Sequence, residues 1–210
     1  MWRLDVLTTP DWVARVETRP VELLSDHAHC ELRAAASAQA LIVKYTEHAA
    51  LVQRMSAVAR EELLHFELVL DELAKRGGTL LPARANPYAE GLLAARAHRK
   101  EELLLDRLLV AALIEARSLE RFHLLAEHLH DRELAAFYRG LVPSEAAHQA
   151  LFVELAKEHY AAERVQERLA ELRAAEARVL RALPFDHRMH SGELDPAPHA
   201  RTGGAANVRP

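Results

Sequence analysis

Glu62 and His65 stand where a helix ordinarily buries apolar side chains. Positions 51, 55, 58, 62, 65, 69 and 73 carry Leu, Met, Val, Glu, His, Val and Leu, one helical stripe with two ionisable groups at its centre. A buried carboxylate costs several kcal/mol or more unless it is protonated, paired or bound to a metal. A Glu and a His three residues apart on one helix face present an oxygen and a nitrogen to the same point. That donor pair suits a divalent transition metal.

The spacing by itself is a weak signal. With 23 Glu and 13 His in 210 residues, chance supplies about one or two Glu-x-x-His pairs. Four occur, at Glu62/His65, Glu120/His123, Glu127/His130 and Glu145/His148, so geometry has to choose. In an antiparallel helix pair, residues equally far from the turn stand at the same height. Glu31 and Glu62 are centred on Thr46 and Glu47, and Glu115 and Glu145 on His130. Each lies about 15 residues, or roughly 23 Å, from its turn. Two independent hairpins therefore bring a Glu and a Glu-x-x-His pair to matching depth.

The faces agree. Leu24, Ala28, Glu31, Ala35, Ala38, Ile42 and Tyr45 make one seam, and Leu104, Leu108, Ala111, Glu115, Leu119 and Phe122 another. Leu134, Tyr138, Leu141, Glu145, His148, Phe152 and Leu155 make a third. Glu120 points about 140° away from Glu115, and Glu127 and His130 sit at a turn, so both of those pairs read as surface residues. Glu61 is an alternative to Glu62 within reach of His65, though it spoils the match with Glu145.

Positioning these residues requires long helices. Thr9-Pro10 opens a short one through about Thr18, Pro20 opens a second to about Thr46, and a third runs from about Glu47 to Gly77-Gly78. TLLPARANP is a loop, followed by a short helix near Tyr88 and a long one over roughly 100–129. Residues 131–160 form its partner, with a kink or break expected before Ser144 because Pro143 removes a helical donor. Residues 163–183 form a charged amphipathic helix. The expected organisation is one helical domain over 1–183 and an irregular, partly docked tail over 184–210.

Half the residues are hydrophobic and only 5% aromatic, with Ala, Leu, Glu and Arg prominent, a mix that favours an all-α bundle. No apolar run is long enough to span a bilayer, and MWRLDVLTTPDW lacks a signal-peptide core. A single cysteine, Cys30, excludes an intrachain disulfide. A cytoplasmic protein without a membrane partner is the expectation. The net charge of −4 argues against a surface that grips nucleic acid everywhere, but leaves room for a local basic patch.

Four Glu and two His from four helices match the ferritin-like dimetal carboxylate arrangement. Glu31, Glu62, His65, Glu115, Glu145 and His148 are the candidate metal ligands, with Glu62 and Glu145 bridging. Two divalent cations offset the charge of the four carboxylates; a buried polar network without metal is the alternative. No catalytic residue beyond these ligands is singled out. Cys30 and Tyr45 read as packing residues, and His27 and His29 as either neighbours of the site or surface residues.

The stretches HCELRAAASAQAL, AREELLHFELVL, LIEARSLERF and LVPSEAAHQALF, in that order, resemble the tRNA hydroxylase family called MiaE, and PFDHRMHSG resembles the way those proteins finish their bundle. The likeness spans about residues 1–195. It implies a non-haem diiron monooxygenase with two iron ions, dioxygen as co-substrate and an external reductase or other two-electron donor. The substrate implied is tRNA, hydroxylated on the isopentenyl group of 2-methylthio-N6-isopentenyladenosine beside the anticodon. An apolar channel should then lead to the metals, with basic residues at its mouth; Lys75, Arg76, Arg84, Arg96, Arg99 and Lys100 are the candidates, against the plainer view that they are solvated charges. A ferritin-like ferroxidase, a rubrerythrin-like peroxidase and a purely structural helical module are the competing classes.

Overall fold

The computed structural model describes residues 2–96 and 100–192. Seven α-helices and one short 3₁₀ turn make up its regular structure, and no strand occurs among the described residues. Helices α2 (Pro20–Lys44) and α3 (Ala49–Lys75) form one antiparallel hairpin. Helices α5 (Leu103–His128) and α6 (Arg132–His159) form the other, and α3 touches α6. Around this four-helix bundle lie α1 (Pro10–Val16), α4 (Pro87–Ala94) and α7 (Ala162–Ala182).

The helix ends follow from local chemistry. Prolines start α1, α2 and α4, where a missing N–H costs nothing. The Asp131 carboxylate accepts from the backbone N–H groups of Glu133 and Leu134 and so caps α6. Gly77 closes α3 at φ 67°, and Gly78 N–H donates to the Leu73 carbonyl at 2.9 Å, the paired bonds of a Schellman end. Pro143 does not break α6, which stays helical from Arg132 to His159. The Ser144 hydroxyl donates to the Leu141 carbonyl at 2.8 Å in the turn that contains the proline.

Burial divides the interior into two apolar clusters. One gathers Leu41, Leu51, Met55, Leu108, Leu109 and Phe152; the other gathers Leu23, Leu24, Val69, Phe122, Leu134 and Tyr138. A layer of ionisable side chains separates them. Neither cluster contains Glu31, Glu62, His65, Glu115, Glu145 or His148, although all six are buried.

The outer helices are tied to the bundle by buried ion pairs. Arg117 on α5 meets Glu176 on α7 at 2.8 Å, and the Tyr88 hydroxyl donates to the same carboxylate. Arg168 pairs with Asp106 at 2.7 Å. Residues 184–192 lie on the body: Met189 is fully buried, Arg121 donates to the Met189 and Ser191 carbonyls, and Trp12 Nε1 donates to Ser191 Oγ. At Gly192 a Cβ would stand 1.7 Å from the Leu183 carbonyl oxygen, so only glycine fits that return.

Candidate metal centre

The six side chains converge at one level. Ligand-type atoms of Glu31, Glu62, His65 and Glu145 lie within 4.8 Å of one another, as do those of Glu62, Glu115 and His148. Glu62 is common to both groups, the position of a bridge. His65 Nδ1 stands 3.5 Å from Glu62, 3.7 Å from Glu31 and 3.9 Å from Glu145, and His148 Nδ1 is 2.9 Å from the other Glu62 oxygen. These contacts are close yet misaligned for hydrogen bonding: both Glu62 oxygens and both Nδ1 atoms are buried without a hydrogen-bond partner. Four such atoms facing one another suit a metal-ligand set better than a finished hydrogen-bond network.

Electrostatics supports the same view. Burial raises Glu115, and the charge of Glu62 adds to it, to about 8. Glu145 is pushed well up by burial and by Glu115. Burial opposes protonation of His65 and His148, but the close carboxylates of the surrounding glutamates outweigh it and raise them to about 10 and about 9. A site that pulls protons onto imidazole and carboxylate is one that lacks positive charge, and divalent cations supply it. The four oxygen and two nitrogen donor residues fit iron.

Residues around the cluster hold it in place. Glu61 is no substitute for Glu62: its side chain is 46% exposed and its Oε2 lies 3.0 Å from His148 Nε2, leaving Nδ1 to face inward. His27, fully buried, brings Nε2 to 2.6 Å from Glu31 Oε1, off the ideal hydrogen-bond direction, with its ring against Phe122 and Tyr138. His29 is half-buried and bonds to the Leu81 carbonyl. Glu120, expected at the surface, accepts from Thr8 and Arg117 in a partly buried network, while His123, Glu127 and His130 are exposed.

A cavity of about 400 Å³ reaches Glu115 between α2 and α5, with α4 alongside. Its walls are mainly apolar, including Ala34, Leu41, Leu93, Val110, Ala111, Ile114 and Phe152. Cys30, Ser37, Asn86 and His190 add polar atoms, and Arg33, Arg96 and Arg107 add charge. His190 is held there by Ser118 at 3.1 Å and by stacking on Tyr88.

Residues 3–191 match the family model described as tRNA-(MS[2]IO[6]A)-hydroxylase (MiaE). The chain belongs to the MiaE family. The tRNA 2-(methylsulfanyl)-N(6)-isopentenyladenosine(37) hydroxylase of Pseudomonas putida is 45% identical over 187 residues, covering 88% of this chain and 90% of that one. The hydroxylase of the same name from Salmonella typhimurium is 36% identical over 142 residues, 68% of this chain and 52% of that one. A solved structure described as protein 43 with aldehyde deformylating oxygenase activity from Synechococcus superposes with a TM-score of 0.88 at 38% identity. That match covers 94% of this chain and 100% of the other. The fold is a ferritin-like helical bundle.

Within this MiaE-family chain, the basic residues expected at the channel mouth divide. Arg96 lines the cavity. Lys75 and Arg76 do not; both pair with Glu72, and Arg76 also with Asp131. Arg84 pairs with Asp186 at 2.9 Å. Arg99 and the side chain of Lys100 fall outside the described residues. Sequence reasoning missed Arg33 and Arg107, which face the cavity only because α2 and α5 lie side by side. It left His27 undecided, although its place four residues before Glu31 puts it on the same face.

Proposed function

We propose that this chain is an O2-dependent diiron tRNA hydroxylase, acting on the isopentenyl group of 2-methylthio-N6-isopentenyladenosine beside the anticodon. One observation carries the reading: an apolar cavity large enough for a prenylated purine ends at Glu115, inside the buried Glu/His cluster. Glu31, Glu62, His65, Glu115, Glu145 and His148 would hold two irons. Iron held there would supply the activation of dioxygen, with two electrons from an outside donor, that places one oxygen atom in an allylic C–H bond and releases the other as water.

The chain's own residues do the rest. Leu41, Val110, Ile114 and Phe152 give the prenyl group an apolar berth and exclude bulk water. His27 steadies Glu31, and Glu61 fixes His148 with Nδ1 toward the cluster. Electrons come from an external donor. No described helix is long and apolar enough to cross a membrane, and we place the reaction in the cytoplasm with its tRNA.

The test combines iron-loaded protein, dioxygen, a chemical reductant and tRNA bearing the prenylated nucleoside, followed by nucleoside mass spectrometry. A gain of one oxygen on the prenyl group is the expected result. Oxygen consumption without that gain would remove the tRNA assignment while leaving an oxygen-using site. The Synechococcus relative favours one second reading, an aldehyde oxygenase, in which a long-chain aldehyde occupies the same cavity. Gas chromatography for the alkane one carbon shorter, run beside the tRNA assay, separates the two.

A further inference from the structure

Arg33, Arg96 and Arg107 come from three separate elements, α2, the end of α4 and the start of α5, and all line the cavity that ends at Glu115. Among the described residues none of the three has a carboxylate partner. Three such charges therefore gather at one cavity in a chain of net charge −4. The bonds that Arg33 and Arg96 do make go to backbone carbonyls, of Arg84 and Leu93. Two guanidinium nitrogens, Arg33 Nη1 and Arg107 Nε, are buried with no partner at all. With no carboxylate to neutralise them, the three guanidinium groups keep their charge for an anion in the cavity.

The spacing fits a nucleotide lying lengthwise. Arg107 lies two helical turns before Glu115 on α5, about 12 Å along the axis at 1.5 Å per residue. The wall between them, Val110, Ala111 and Ile114, is apolar. A prenyl tail at Glu115 therefore puts the sugar end of its nucleoside near the arginines.

Resting on the tRNA-hydroxylase reading above, we propose that Arg33, Arg96 and Arg107 form a phosphate-binding rim that grips the backbone flanking the modified nucleoside. Guanidinium groups suit this role because their N–H forks match phosphate oxygens and stay charged at every working pH. The rim supplies affinity and register for RNA, while the apolar wall selects the prenyl group. It also concentrates on one mouth the positive charge that the acidic chain as a whole does not offer.

The test is RNA binding, which needs no turnover. Fluorescence anisotropy would measure an anticodon stem-loop RNA bearing the prenylated nucleoside against the full chain, over a series of salt concentrations. Arg33→Gln, Arg96→Gln and Arg107→Gln should each weaken binding roughly tenfold. Each should also make the slope of log affinity against log salt shallower by about 0.7 to 0.9. Arg181→Gln, which removes one exposed charge from α7, serves as the control for net charge. Arg107→Lys, which keeps the charge, should recover part of the loss and shows that the fold tolerates change there. Cavity variants whose affinity and slope stay within twofold of the parent would overturn the proposal, even with hydroxylation intact. A parent chain that neither binds the RNA nor hydroxylates it would overturn the functional reading itself. Binding with normal salt dependence but losses equal to those of Arg181→Gln would reduce the rim to general electrostatics and also overturn it.

Discussion

At Glu31, burial and its neighbours pull in opposite directions. Burial alone would raise its pKa, but the close approach of His27, with His65 and Glu62, holds it well below the usual carboxylate range. The same burial raises Glu115 and Glu145, and like charge adds to it, from Glu62 at Glu115 and from Glu115 at Glu145. Glu31 is thus held ionised for a cation, and His27 is the side chain that holds it. His27→Leu should weaken metal retention about 10- to 100-fold, read by competition with a chromophoric chelator, because removing a group that orients a ligand costs that much. Unchanged retention would show that the contact is packing alone. Glu145→Ala removes one of the candidate ligands. Bound iron should fall to half or less by elemental analysis while circular dichroism stays helical. Full metal content in that variant would mean that the ligand set is wrong. The six cluster residues were legible in the sequence because each interrupts an apolar stripe, a conflict visible without a structure. Arg33 and Arg107 interrupt nothing on their own helices, so their meeting across the α2–α5 interface could not be read from either helix alone.

Among the elements, α4 and the segment 184–192 give the site its walls. Asn86, Ala89, Leu93 and Arg96 from the α4 region close one side of the cavity, and His190 adds another patch. Gly192 holds that segment in place: its N–H donates to the Pro184 carbonyl at 3.0 Å, and a Cβ would collide with the Leu183 carbonyl oxygen. Gly192→Ala should therefore destabilise the protein by about 1 to 3 kcal/mol, measured by denaturant titration. Protease cleavage near residue 188 should also become faster. A neutral result would mean that the return loop relaxes freely. The helices themselves were plain from periodicity, caps and glycine stops, with ends displaced by one to three residues. Pro143 misled the eye, since a proline inside a helix ordinarily marks a break. Here α6 carries Leu141, Glu145 and His148 on one buried face, and packing along α5 keeps the helix whole.

For the molecule as a whole, the two apolar clusters must stabilise a polar layer that separates them, and the metal decides the sign of that layer's contribution. In metal-stripped protein, Glu115 titrates at about 8 against an ordinary 4.5, and His65 and His148 at about 10 and about 9 against 6.5. All three bind protons more tightly folded than unfolded. Their contribution is complete below the ordinary values and is lost as pH rises, first through Glu115 between about 4.5 and 8, then through the histidines up to about 10. Metal-stripped protein should thus melt at progressively lower temperature as pH is raised from about 6 to 9. Iron or manganese should raise the melting temperature most at the alkaline end, because the cations take the place of the protons. A melting temperature insensitive to pH without metal would contradict the proton-hungry cluster.

The two hairpins carry matching residues, with Glu31 on α2 answering to Glu115 on α5 and Glu62/His65 on α3 to Glu145/His148 on α6. One position departs from the repeat. Four residues before Glu31 stands His27, whose ring fills the space against Phe122 and Tyr138; four residues before Glu115 stands Ala111, and the cavity opens there. Equivalent halves would give the centre two identical faces. A bulky imidazole at one position and a methyl group at the other make the two sides unequal: space remains beside Ala111 and Glu115, where His27 fills it beside Glu31.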